Sequence, residues 1–168
     1  RAFYTIARGS SDAAANILSY EFMRELRVPV TSLPPSVFSL GDGVDMTQSA
    51  ALVVSQSGAS DDLVRSAKGA AASGANVVAI TNQPDSAVEA AADVTVPINA
   101  GPELAVPATK TVVGSVAAGM ALLAALKPAY AAKVQAAVSA LEGQDLRHPQ
   151  ADKLQAALQR ARHVYVIG

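Results

Sequence analysis

Three clusters of hydroxyl, amide and glycine residues stand where apolar runs give way to helix-like stretches. The fullest is Ser55-Gln56-Ser57-Gly58-Ala59-Ser60, followed by Asp61-Asp62. Set between a strand's C-terminal end and a helix's first turn, this loop offers hydroxyls, unpaired N–H groups and the positive end of the helix dipole. That combination suits an anion such as phosphate. A plainer reading stands beside it: Ser57 and Ser60 cap the helix, Gly58 makes the turn, and Asp61 and Asp62 favour a helix start while repelling a phosphate placed too close. Ala7-Arg8-Gly9-Ser10-Ser11-Asp12 has the same form, with Arg8 open to either a ligand or a surface role. Gly9 lacks the partners of a G-x-G-x-x-G fingerprint, and no Gly-Lys-Ser/Thr follows as in a P-loop, so nucleotide binding has little support.

The third cluster runs from Asn99-Ala100-Gly101-Pro102-Glu103 to Ala108-Thr109-Lys110-Thr111. Glu103 could act on a sugar hydroxyl or a proton, Thr109 could donate a cap-like hydrogen bond, and Lys110 could neutralise an anion. The alternatives are a solvated Glu, an N-cap Thr and a Lys lying along the surface. His148, in a Leu-Arg-His-Pro linker, and His163, before an apolar run, read as solvated. No His stands at metal-ligand spacing from Asp or Glu, and the chain has no Cys, which excludes thiolate metal sites, disulfides and cysteine catalysis.

These loops need a frame that presents them together. Strand-like runs at Phe3 to Ala7, Val28 to Ser32, Ala51 to Ser55, Val77 to Thr81 and Val94 to Ile98 alternate with Ala-rich helical stretches, as βαβ units do. Ser11 or Asp12 is expected to cap a helix reaching Arg27, Ser60 one from Asp61 to Ser73, and Asp85 or Ser86 a short one to Ala92. If the strand order is 2-1-3-4-5, the serine-rich loops after strands one and three lie side by side where the order reverses. From Thr109 to Arg162 helix dominates, divided into three by Pro128 and Pro149. The last, Gln150 to Ala161, aligns Ala151, Leu154, Ala157, Leu158 and Ala161 on what should be a packed face. Arg162-His163-Val164-Tyr165-Val166-Ile167-Gly168 then repeats the plan of Arg1-Ala2-Phe3-Tyr4-Thr5-Ile6-Ala7, the expected first strand of a second copy.

Composition narrows the function classes. At 168 residues the chain has room for one α/β domain, and 51% hydrophobic against 16% charged residues excludes a disordered or coiled-coil chain. Thirteen Lys and Arg against fourteen Asp and Glu leave a net charge of -1, without the basic field that nucleic-acid or anionic-membrane binding uses. The longest apolar stretch, Val112 to Leu126, is broken by Gly114, Ser115 and Gly119 and falls short of the about 20 residues of a bilayer span. A small-molecule ligand and, by default, a cytoplasmic location are the expectations.

Taken together, Gly9-Ser10-Ser11, the Ser55 to Ser60 loop, and Asn99 to Glu103 with Ala108-Thr109-Lys110 resemble the sugar isomerase (SIS) domain in its two-copy form. Within that family, Ala-Arg-Gly-Ser-Ser-Asp and Gly-Pro-Glu are similar to the glucosamine-6-phosphate deaminase group. The resemblance implies an α/β fold of three layers: a five-stranded parallel sheet in the order 2-1-3-4-5, flanked by helices, with a C-terminal helical extension. It implies a first SIS domain at 1–127, a linker at 128–161 and the start of a second SIS domain at 162–168. The ligand it implies is a hexose or hexosamine 6-phosphate, with the phosphate on Ser11, Ser55, Gln56, Ser57 and Ser60. Gly9, Ser10, Glu103, Val106 and Thr109 would line the sugar. Ala59, Ser60 and Pro107-Ala108 depart from the aminotransferase pattern, and at Ala108 a side-chain hydroxyl contact is lost.

The family's general base, a Glu, and its ring-opening His belong to the second copy or a neighbouring subunit. This chain is therefore expected to bind without supplying the base, in an enzyme that converts glucosamine 6-phosphate by aldose-ketose isomerisation with release of ammonia. A sugar-phosphate-sensing SIS domain, or an aminotransferase or isomerase relative, is the alternative. Neither cofactor nor metal is expected. The expected assembly is a homodimer, with the Thr111 to Leu126 helix as its apolar patch.

Overall fold

The computed structural model describes residues 2–104, 108–144 and 149–165. The five apolar runs form strands β1 (Phe3–Ala7), β2 (Val30–Ser32), β3 (Ala50–Ser55), β4 (Asn76–Thr81) and β5 (Val94–Pro97), all parallel, in the order β2-β1-β3-β4-β5. The helices are α1 (Ser10–Leu26), α2 (Ser36–Ser39), α3 (Asp61–Ala72), α4 (Lys110–Leu126), α5 (Ala131–Glu142) and α6 (Ala151–Arg160), with 3-10 turns at Glu89–Ala91 and Pro128–Tyr130.

Successive strand side chains point to opposite faces, so a strand covered on both sides reads as one apolar run yet serves two cores. Ile6, Ala51, Val53, Val77 and Ala79 join Leu63, Ala67 and Ala70 of α3, with Phe38 of α2 packed alongside. Ala7, Leu52, Val54 and Ile80 join Ala15, Leu18 and Phe22 of α1 and Ala118 and Leu123 of α4 on the other face. The result is the expected three-layer sandwich. The two helices of the second face approach closely because Gly119 leaves room for Leu18, which a Cβ there would strike.

A charged cluster ties the far end of α1 to the chain beyond α4. The nearly buried carboxylate of Glu25 accepts Lys133 Nζ at 2.6 Å and Lys127 Nζ at 2.9 Å. The Lys133 hydrogen bond, followed by that of Lys127, holds the Glu25 carboxyl down at about 2. Beside it Tyr130 donates to Glu21 Oε2 at 2.8 Å, and burial together with the Glu21 carboxylate pushes the phenol up to about 12.

Several local expectations change. Gly9 stands at the N-cap of α1 and no side chain caps that helix, so Ser11 and Asp12 lie inside its first turn. Ser86 Oγ accepts the Glu89 N–H at 3.3 Å, but the helix there is a single 3-10 turn whose N-cap is Val88, without a side-chain cap. β2 begins at Val30 rather than Val28, after Pro29, which has no N–H to give a ladder. The four-residue α2 after Pro34-Pro35 was not expected.

The chain divides into two compact units, 1–134 and 135–168. None of the described residues of the second unit is buried. Leu154 is 60% exposed and Leu158 48%, so nothing among the described residues of the second unit buries the apolar face of α6. Arg162 to Tyr165 have no sheet partner, and the rest of the repeated run lies outside the described residues. Among the described residues no helix is long and apolar enough to cross a membrane.

Candidate functional site

Between β1 and β3 the sheet reverses its direction of winding. α1 leaves β1 toward one face and α3 leaves β3 toward the other, while Ala7 pairs with Val54 in register. The two serine-rich loops therefore leave neighbouring strand ends and open a crevice at the sheet's C-terminal edge, where ligands of such sheets bind.

In the first loop Gly9 adopts φ 60 and ψ -134, a conformation that disfavours any side chain, and its carbonyl accepts Asp12 N–H at 3.1 Å. With no side-chain cap, the first-turn amides of Ser10 and Ser11 face the crevice end of α1. Arg8 is not directed at a ligand: its Nη1 pairs with Asp62 Oδ2 at 3.0 Å, across to the second loop.

The second loop is braced from within and behind. Ser55, only 2% exposed, accepts the Gly58 N–H at 3.1 Å through its Oγ. Ser57 Oγ accepts the Ala59 N–H at 3.3 Å. Gly58 has φ +60, and a Cβ there would collide with Ser86, whose turn gives the Val88 N–H to the Gly58 carbonyl at 2.9 Å. Asn82 N–H donates to the Gln56 carbonyl at 3.1 Å. Ser60 occupies the N-cap of α3 in extended conformation, but its hydroxyl makes no capping bond. The expectation that Ser60 caps the helix is corrected: its carbonyl accepts Leu63 and Val64 N–H, while Asp62 Oδ1 takes the Leu63 N–H as well.

The third cluster is organised differently from its reading in sequence. Glu103 is not a solvated carboxylate: its Oε2 accepts Thr109 N–H at 3.0 Å, Thr111 N–H at 3.1 Å and Thr111 Oγ1 at 3.0 Å. Thr109 holds the N-cap position of α4 without a side-chain cap, so Glu103 supplies the cap expected of it. Lys110 is exposed. Val106 lies outside the described residues, as does His148, and His163 is exposed. No group of three His, Cys, Asp or Glu that could hold a metal ion occurs among the described residues.

Three helices thus begin at this edge, and their N-termini differ. That of α4 already holds a carboxylate of the chain itself. Those of α1 and α3 carry no side-chain cap and stand beside Ser10, Ser11, Gln56, Ser57 and Ser60, with Asp12 in the first turn of α1 and Asp61 and Asp62 in that of α3. Sequence reasoning missed Asn82, whose amide spans the loop after β5, because its partners lie eighteen and nineteen residues away. Cavity size does not single out this edge. A cavity of about 610 Å³ lies at the opposite end of the strands, lined by Phe3, Leu26, Val28, Gln48 and Asn76 among others, and no titratable side chain lines it.

The model of the SIS domain family matches residues 1–125. Over 144 residues the chain is 32% identical to glutamine–fructose-6-phosphate aminotransferase (isomerizing) of Zymomonas mobilis, covering 85% of this chain and 23% of that enzyme. A protein of Silicibacter pomeroyi assigned as a phosphosugar isomerase superposes with TM-score 0.74 at 43% identity, over 79% of this chain and 42% of that one. Glucosamine-6-phosphate deaminase of Thermotoga maritima shares the fold, with TM-score 0.67 at 18% identity over 80% of this chain and 43% of its own. This chain accordingly spans less than half the length of each of these relatives.

Proposed function

Because the chain belongs to the SIS domain family, we propose that its crevice holds the phosphate of a hexose or hexosamine 6-phosphate between the first turns of α1 and α3. One observation carries this reading: of three helix N-termini at the edge, the two flanking the point of strand reversal are uncapped and hydroxyl-lined, while Glu103 occupies the third. Ser57 and Ser60 donate their hydroxyl protons to the phosphate, Ser11 and the amides of both loops assist, and Ser55 holds the turn through Gly58 with its own proton left to give. Arg8, held by Asp62, steadies the two loops against each other instead of binding the ligand. Gly9, Ser10, Glu103, Val106 and Thr109 border the sugar.

Phosphate supplies binding energy remote from the reacting carbons, and a carboxylate placed elsewhere moves the proton between sugar carbons one and two. On the pattern of the two-copy SIS enzymes, that base comes from the second SIS copy or from a neighbouring subunit, the second copy beginning at Arg162 after a first domain at 1–127 and a linker at 128–161. The whole protein is then a cytoplasmic glucosamine-6-phosphate deaminase, joining aldose-ketose isomerisation to ammonia release. The exposed Ile17 and Tyr20 of α1 and Val113 and Leu126 of α4 form the apolar surface on which a second copy or second subunit rests.

Two assays test the reading. Calorimetry of this chain with glucosamine 6-phosphate should give saturable binding that glucosamine alone does not, and binding indifferent to the phosphate would contradict it. Full-length protein should release ammonia from glucosamine 6-phosphate. Tight binding with no turnover of any hexosamine phosphate would make the domain a sensor.

A further inference from the structure

Asn82 follows the last residue of β4 and is the point at which the second and third clusters meet. Its backbone N–H holds the Gln56 carbonyl at 3.1 Å. Its side chain takes the Ala100 N–H on Oδ1 at 2.9 Å and gives Nδ2–H to the Gly101 carbonyl at 2.8 Å. Both bonds fall on a turn that needs holding, since Asn99 has φ 56 and Gly101 φ 67, the left-handed region that a non-glycine residue adopts at some cost. Two residues further on stands Glu103, whose carboxylate caps α4. Hydrogen bonds thus tie the Gln56 turn through Asn82 to Ala100 and Gly101, and two residues along the chain Glu103 ties the same segment to the start of α4.

The carboxamide, with an acceptor oxygen and a donor nitrogen, satisfies both Ala100 and Gly101. Aspartate accepts from Ala100 but turns a lone pair toward the Gly101 carbonyl, and alanine leaves both groups unpaired. Resting on the reading of the crevice as a phosphosugar site, we propose that Asn82 is the positioning residue that sets the sugar-side loop 99–103 at a fixed distance from the phosphate loop, and so selects a 6-phosphorylated sugar over phosphate alone. In this role Asn82 acts through the two loops it joins. It fixes the separation of two subsites, and that separation matters only to a ligand that spans both.

The test compares wild type, Asn82→Ala and Asn82→Asp by calorimetry with glucosamine 6-phosphate, and by amide NMR titration with inorganic phosphate. Both variants are expected to bind glucosamine 6-phosphate at least about tenfold more weakly, with affinity for inorganic phosphate within about twofold of wild type. In the unliganded protein, Asn82→Ala should speed hydrogen exchange at Ala100 and leave Gly58 and Ala59 as they are. Equal weakening toward both ligands would mean a merely structural role and overturn the inference, as would a variant that binds the sugar phosphate like wild type. Wild type that binds no sugar phosphate at all overturns the reading of the site, and with it the selective role. A wild type that binds beside an indifferent Asn82→Ala overturns this inference alone.

Discussion

Replacing Ser57 and Ser60 together by alanine isolates the hydroxyls from the scaffold that presents them. Ser57 is exposed and Ser60 half-buried, and neither hydroxyl braces another element: Ser57 meets only the Ala59 N–H two residues on, and Ser60 makes no cap. The fold should be insensitive, within about 0.5 kcal/mol, as surface substitutions usually are. A hydrogen bond to a charged acceptor contributes roughly 1.5 to 3 kcal/mol, so two are worth about 3 kcal/mol at the low end, near a hundredfold in affinity. Backbone amides of the same loop persist and redistribute part of the load, which makes about tenfold the least loss the geometry allows. Ser55→Ala is the instructive contrast. It would be a neutral change in an exposed loop, but Ser55 is buried and its Oγ satisfies Gly58 N–H, so its removal should also lower stability by about 1 to 3 kcal/mol. Calorimetry with glucosamine 6-phosphate and thermal melting of each variant separate the effects. Unchanged affinity in the Ser57→Ala, Ser60→Ala chain, or a comparable loss in Lys110→Ala, would refute the assignment of the phosphate to the α1 and α3 termini.

Other outcomes follow from the same geometry. Glu103→Ala uncaps α4 and should lower stability by about 1 to 2 kcal/mol in urea unfolding, with phosphate affinity retained. Gly58→Ala must push Ser86 aside at a positive φ, whereas Gly9→Ala meets open space and suffers from its φ alone; Gly58→Ala should therefore melt lower than Gly9→Ala. The Glu25 carboxyl, held at about 2 against an ordinary 4.5, contributes stability that is complete above pH 4.5 and disappears as pH falls toward 2. Lys133→Ala should flatten the stability profile across that window, and an unchanged acid limb would show that the pair does not act.

How far the chain could be read from its sequence depends on the range of the interactions involved. Runs such as Ala51 to Val54 and Val77 to Ile80 reveal strands because burial on both faces selects apolar residues at every position. The glycine and serine loops at their ends are legible for the same local reason. The identity of each cap was not legible. Ser11, Asp12 and Thr109 stand where local rules place caps, but Gly9 leaves α1 open and Glu103, six residues before Thr109, reaches over to α4. Asn82 was hidden because a residue's partners across two loops leave no periodic trace. The short α2 was hidden because four residues are too few to show a helical period. Spacing does reveal an apolar face on α6, but whether anything covers it is a matter of tertiary structure, and Leu154 is exposed.

The most direct measurement is a crystal structure of this chain with glucosamine 6-phosphate bound. The account predicts the phosphate between the first turns of α1 and α3, within hydrogen-bond distance of the Ser57 and Ser60 hydroxyls and clear of Arg8. A phosphate seated beside Lys110 at the start of α4, or in the cavity at the opposite edge of the sheet, would contradict it.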